Sequence, residues 1–207
     1  MDCKFEEKYS QIPDGLKTTL DRVESFRKKF GDLALFYASG IAKHPKNEQI
    51  AELLKKVLKA DEREIKIALV YGSRKAYSDL DLFAVSSKAT CSSNRWLDIQ
   101  AYSEKEFEYQ LSVFDISVTD PILTGNLVCG DEHYLEIVKQ RLREQPITKE
   151  AIYYNIIHSK QQRILANENK DMPDLFRGGN SYSQTYMKNA LALSTGKRIL
   201  TRRDLLR

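Results

Sequence analysis

Two short groups in this 207-residue chain, Gly72-Ser73 and Asp79-Leu80-Asp81, combine residue types and spacing that suit chemistry on phosphates. On a β-strand residues i and i+2 share a face, so the carboxylates of Asp79 and Asp81 project together while Leu80 and Leu82 turn into a core. Two such carboxylates repel each other, and both stay ionised most easily with a cation between them. Hard oxygen ligands of this kind suit Mg²⁺, which binds through carboxylates, phosphate oxygens and water. Gly72 has no Cβ and lets the backbone approach a phosphate closely. Ser73 offers its N–H and hydroxyl to the same anion. Arg74 and Lys75 follow directly and are placed to neutralise further phosphate charge. A third acid would complete a two-metal site. Asp98, in Trp96-Leu97-Asp98-Ile99-Gln100, is the preferred residue; Asp115, in Phe114-Asp115-Ile116, is its rival.

The elements that must position these residues are legible from periodicity. Leu16, Leu20, Val23 and Phe26 mark one helical face, which Phe30-Gly31-Asp32 interrupts. Ile50, Leu53, Leu54, Val57 and Leu58 mark a second, on a helix opening near Pro45 and Asn47. The period then changes, and strands are predicted at Ile65–Tyr71, Leu80–Val85 and Trp96–Tyr102. The small polar residues 86–94 read as a loop or hairpin connection that sets the Asp98 strand beside the Asp79–Asp81 strand. Ser103 and Glu106 form a capping box ahead of Phe107, Leu111 and Phe114. Gly130-Asp131 opens a helix with Leu135, Val138 and Leu142 on one face.

Gln145-Pro146-Ile147-Thr148 reads as a boundary between residues 1–145, the catalytic part with its N-terminal helices, and residues 146–207, a helical domain. Beyond it a helix carries Ile152, Ile156 and Ile164. A loop is predicted over 167–180 around Gly178-Gly179, then a helix from Ser181 to Ser194 with Gly196 as its C′ residue. Thr201 and Asp204 could begin a last short helix. The expected fold class is α/β (α+β): a small mixed sheet between N-terminal helices and a C-terminal helical bundle.

Composition excludes several other classes. Hydrophobic residues make up 42% and charged residues 30%, enough for a core. Nine glycines and five prolines exclude collagen-like and linker-like chains. No run approaches the ~18–20 apolar residues of a membrane helix. Met1-Asp-Cys-Lys-Phe-Glu-Glu-Lys8 lacks the apolar centre of a signal peptide, so secretion is not expected, and without a membrane helix no membrane partner is expected either. Cys3, Cys91 and Cys129 are scattered and odd in number, which argues against a disulfide framework and fits a cytoplasmic location. His44, His133 and His158 lie too far apart to form a local metal cluster. The net charge of +4 permits contact with nucleotides or nucleic acid without requiring it.

A strand, Gly72-Ser73, Asp79-Leu80-Asp81 and then the lone acid Asp98 form an order that resembles the DNA polymerase beta nucleotidyltransferase superfamily. The resemblance runs from about Ile65 to Asp131 and more weakly over the helical tail. It is strongest toward the stand-alone bacterial and archaeal nucleotidyltransferases and the aminoglycoside nucleotidyltransferases, to which Leu97–Glu108 is also similar. The five residues between Ser73 and Asp79 make a shorter spacer than that family's, which implies a trimmed helix at the turn. The resemblance implies a Mg²⁺-dependent transfer of a nucleoside monophosphate, AMP from ATP, to a hydroxyl with release of pyrophosphate. Asp79 and Asp81 would bridge two Mg²⁺ ions, Asp98 would hold the ion nearest the acceptor, and Gly72, Ser73 and Arg74 would bind the nucleotide.

The acceptor implied is a small molecule, a protein or RNA. The basic tail of Lys197, Arg198, Arg202, Arg203 and Arg207, offset by Asp204, fits a protein or nucleic acid better than a cationic aminoglycoside. By analogy, Tyr182, Tyr186 and Lys188 would lie on a tail helix facing the cleft. Two alternatives stand beside this reading: a binding module that kept the fold and lost catalysis, and an RNA-tailing enzyme.

Overall fold

The structure, a computed structural model, describes residues 47–72, 80–88, 90–93 and 97–204. The helix expected around Leu16–Phe26 lies outside those residues, as do Ser73, Arg74, Lys75, Asp79, Trp96 and Arg207.

Among the described residues, five strands form one mixed sheet: β1 (Ile65–Tyr71), β2 (Leu80–Ser86), β3 (Thr90–Ser93), β4 (Leu97–Tyr102) and β5 (Asn126–Gly130), in the spatial order β3-β4-β2-β1-β5. The sequences of β1 and β2, IKIALVY and LDLFAVS, are nearly continuous apolar runs, as expected of central strands covered on both faces. On one face Ile67, Leu69, Tyr71, Phe83 and Val85 join the larger core. On the other, Ala68, Val70, Leu82, Ala84 and Ile99 meet Ile50, Leu53, Leu54 and Leu58 of α1 (Asn47–Leu58). A register shift between Ile65 and Ile67 moves Ile65 to the α1 side, so it does not share a face with Ile67 and Leu69 as simple alternation predicts.

The expected β2–β4 hairpin is replaced by a different pairing. Residues 90–93, read from sequence as loop, form the edge strand β3, which pairs antiparallel with β4. After β2 the chain passes over one strand position, descends as β3 and returns as β4 between β3 and β2. Strand β4 therefore runs parallel to β2. The small polar residues of β3 hid it, because an edge strand needs no apolar alternation to pair through its backbone.

The other face is covered by α2 (Glu104–Ser112), α3 (Ile116–Thr124), α4 (Glu132–Glu144), α5 (Lys149–Glu168) and α6 (Pro173–Ser194). The capping box forms as predicted: Glu106 N–H donates to Ser103 Oγ, and Ser103 N–H donates to the Glu106 carboxylate. Phe107, Leu111, Leu135, Val138, Leu142, Ala151, Tyr154, Tyr186 and Leu193 share the larger core with the sheet. Gly196, at φ +77, ends α6: its N–H bonds Leu193 O while Lys197 N–H bonds Ala192 O, a Schellman closure. No helix among the described residues is long and apolar enough to cross a membrane.

Helix α6 begins at Pro173 and runs straight through Gly178-Gly179, so much of the loop predicted over 167–180 is helix. The pair is a packing feature rather than a turn. A Cβ on Gly179 would stand 2.9 Å from Ala166 Cβ and 3.1 Å from Gln162 O, whereas one on Gly178 would meet nothing within 4 Å. Gly178→Ala is expected to raise stability by about 0.5–1 kcal/mol through restored helix propensity. Gly179→Val is expected to lower it by about 1–3 kcal/mol by prising α6 from α5. Paired thermal melts of the two variants check this opposition.

Candidate active site

Parallel pairing of β2 with β4 sets Asp81 directly beside Asp98, and antiparallel pairing of β1 with β2 sets Tyr71 on the far side of Asp81. The three residues form a row across neighbouring strands, which are spaced about 4.8 Å apart. Asp81 shares its face with Phe83 and Val85, the face packed by α2–α6, and both acids are half-buried. The row lies where β1 ends at Gly72 and β2 begins.

Gly72 has φ +77, a left-handed conformation that side chains resist. A Cβ built on it would stand 1.9 Å from Asp81 Oδ2, so the bend closes directly against the carboxylate. Tyr71 is buried, and that burial, reinforced by the charges of Asp81 and Asp98, drives its ionisation far above the ordinary phenol range. The Tyr71 hydroxyl therefore keeps its proton beside the acids. Gln100, two residues after Asp98 on the same face, donates from Nε2 to Asp98 Oδ2 at 3.1 Å. The Gln100 amide oxygen is buried and has no hydrogen-bond partner among the described residues.

The C-terminal segment adds a cation to this region. Arg202 N–H donates to Asp120 Oδ1 at 3.1 Å, and its Nε lies 3.9 Å from Asp120 Oδ2. The guanidinium sits over the Tyr182 ring, 5.6 Å from its centroid. Burial pushes the Asp120 carboxyl above its ordinary range, partly countered by the backbone N–H and charge of Arg202. Burial works against the Arg202 charge, and Tyr182 and Asp120 more than offset it, so the cation is reinforced.

Asp115 has a different setting. It N-caps α3 and is 3% exposed. Its Oδ1 accepts from Ser117 N–H at 2.8 Å, Ser117 Oγ at 2.7 Å and Tyr186 Oη at 3.0 Å, while Oδ2 accepts from Tyr154 Oη at 2.5 Å. Phe114 beside it is left-handed at φ +55. The carbonyls of Val113 and Phe114 are held by Asn155 Nδ2 at 3.0 Å and Asn189 Nδ2 at 2.9 Å. This corner ties α5 and α6 to the rest of the core. His158 stacks against Tyr154 and Tyr186 and belongs to the same packing.

Of the residues singled out from sequence, the structure brings together Gly72, Asp81 and Asp98, and it commits Asp115 to the buried corner. Tyr182 borders the region through Arg202, whereas the Tyr186 hydroxyl turns to Asp115. No group of three His, Cys, Asp or Glu suited to a metal occurs among the described residues; Asp81 and Asp98 provide two carboxylates. A basic cleft lined by Lys55, Lys56, Lys59 and Arg63 opens elsewhere, before the start of β1. Sequence reasoning missed Tyr71, Gln100 and Asp120. Tyr71 looked like the end of an apolar strand and Asp120 like an isolated acid in an apolar segment, so only the pairing of distant elements reveals them.

No family model matches the chain, and no curated protein matches it. Among solved structures it is similar to one described as a nucleotidyltransferase-like protein from Exiguobacterium sibiricum 255-15, at 16% identity and a TM-score of 0.41. The match covers 73% of this chain and 58% of that one.

Proposed function

We propose that this chain is a nucleotidyltransferase that moves a nucleoside monophosphate, AMP from ATP in the first instance, to a hydroxyl acceptor. One observation carries the reading: Asp81 and Asp98 stand side by side in register, with the Gly72 bend closed against Asp81. Two adjacent, half-buried carboxylates offer the hard oxygen donors that Mg²⁺ takes. Asp81 and Asp98, joined by Asp79 on the sequence argument, would hold that ion. Bound there, Mg²⁺ would offset the charge that builds up on the phosphates as the displacement proceeds.

The chain's own groups do the positioning. Gln100 fixes the orientation of Asp98 through Oδ2. Tyr71, held neutral, presents a hydroxyl and adds no further negative charge. In the reaction the acceptor oxygen forms a bond to the α-phosphorus and the α–β bridging P–O bond breaks. Pyrophosphate leaves and the acceptor's proton passes to solvent.

Incubation with labelled ATP, GTP, CTP and UTP, Mg²⁺ and a cell extract tests the proposal. Transfer of label to an acceptor by the wild type, and none by Asp81→Ala, is the expected result. Neither labelled acceptor nor pyrophosphate from any of the four would overturn it. Gly72→Ala is a second check. Its Cβ must displace the Asp81 carboxylate, and the left-handed backbone adds about 1–2 kcal/mol of strain. Transfer is expected to fall more than about tenfold while the melting temperature drops by only about 2–8 °C.

A further inference from the structure

We propose that Arg202 binds the terminal phosphates of the nucleoside triphosphate, held for that purpose by Asp120 and Tyr182. The inference rests on the proposed transferase activity and adds the residue that recognises the triphosphate end.

Three observations bring Arg202 to the end of the sheet that carries the acids. Helix α3 ends against β1: a Cβ on Gly125 would stand 3.0 Å from Leu69 Cβ, and the next residue, Asn126, pairs with Val70. Asp120, one turn earlier on α3, is thereby set near the Tyr71 end of the sheet. Asp120 then accepts the Arg202 backbone N–H, which pins the C-terminal segment at that end.

The way Arg202 is held leaves its head group able to act. The backbone N–H makes the shorter bond to Asp120, while the Nε contact is a long 3.9 Å. The side chain is 48% exposed, and its planar group rests over Tyr182. A guanidinium is a rigid fork of donors whose geometry matches two phosphate oxygens at once. The acids make this region negative and would repel a triphosphate. A fixed cation at its edge offsets that repulsion where the β- and γ-phosphates carry the most charge.

The test compares binding of a nucleoside triphosphate and its monophosphate, in Mg²⁺, by wild type, Arg202→Ala and Arg202→Lys. Whichever of ATP, GTP, CTP and UTP binds the wild type best is used. Arg202→Ala should weaken triphosphate binding by about tenfold to a hundredfold, the loss of charge-assisted hydrogen bonds, and leave monophosphate binding unchanged. Arg202→Lys, with a point charge and no fork, should fall between. If Arg202→Ala melts early, Arg202→Gln, which keeps part of the side chain and removes the charge, takes its place.

Equal triphosphate binding by wild type and variant would overturn the inference and leave the transferase proposal standing. A parallel loss of both ligands would also overturn it, because it would show that Arg202 supports the fold and not the phosphates. A wild type that binds none of the four triphosphates would overturn both.

Discussion

Asp81→Ala is expected to lower nucleotide transfer by at least about a thousandfold, which corresponds to about 4 kcal/mol of lost stabilisation in the displacement. The fold should survive. Asp81 is half-buried at the end of a central strand, and its strand neighbour Asp98 carries the same charge. Removing one member of a like-charged pair relieves repulsion, so the melting temperature should hold or rise. Asp98→Asn should show the same pattern. Initial-rate measurements beside melting curves separate lost chemistry from lost structure. Wild-type rates in a well-folded Asp81→Ala would remove the assigned site.

The second large effect concerns stability. Asp115→Ala should destabilise the protein by about 3 kcal/mol or more, since buried donors left without an acceptor each cost about 1–3 kcal/mol. Those donors are the hydroxyls of Tyr186 and Ser117 and the backbone N–H of Ser117, while the Tyr154 hydroxyl, which also reaches Gln110 Oε1, loses its charged acceptor; the tie among three separate helices is lost. For a chain of this size the melting temperature should drop by roughly 6–12 °C. Transfer per folded molecule should be unchanged below the new transition. Denaturant unfolding with rates measured on the folded fraction distinguishes the two acids: Asp98 would govern the reaction and Asp115 the stability.

Much of the scaffold could be read from the sequence because its periods are strong. The apolar runs of β1 and β2, the stripe of α1 and the capping box of α2 each declare themselves locally. Elements with weak local signals did not. Helix α3 is short, buried nearly all round and contains Pro121, so it presents no apolar stripe. Strand β3 is small and polar, and the glycines of α6 mimic a turn while they let α5 approach.

The site was legible in part for the same reason. Asp81 and Asp98 carry a chemical signal in their neighbours, although the route by which they meet was misread. A simple β2–β4 hairpin would run the strands oppositely and place the start of β4 against the end of β2. Asp98 would then lie at the far end of the sheet from Asp81. Tyr71, Gln100, Asp120 and Arg202 matter only through tertiary neighbours, which no local pattern encodes.

The detour through β3 gives the chain an unusual freedom. Residues added to the outer strand or to the tip joining it to β4 would lengthen the excursion outward, and β4 would still lie in the same slot along β2. The number of residues separating the two acids in sequence is therefore free to drift while their spatial relation stays fixed. Insertion of a single residue within β4 directly after Asp98 is another matter, because the buried Ile99 and Ala101 hold the rest of the strand in place. It would shift the alternation by one step, turn that carboxylate toward the α1 side of the sheet, and leave Asp81 without its companion.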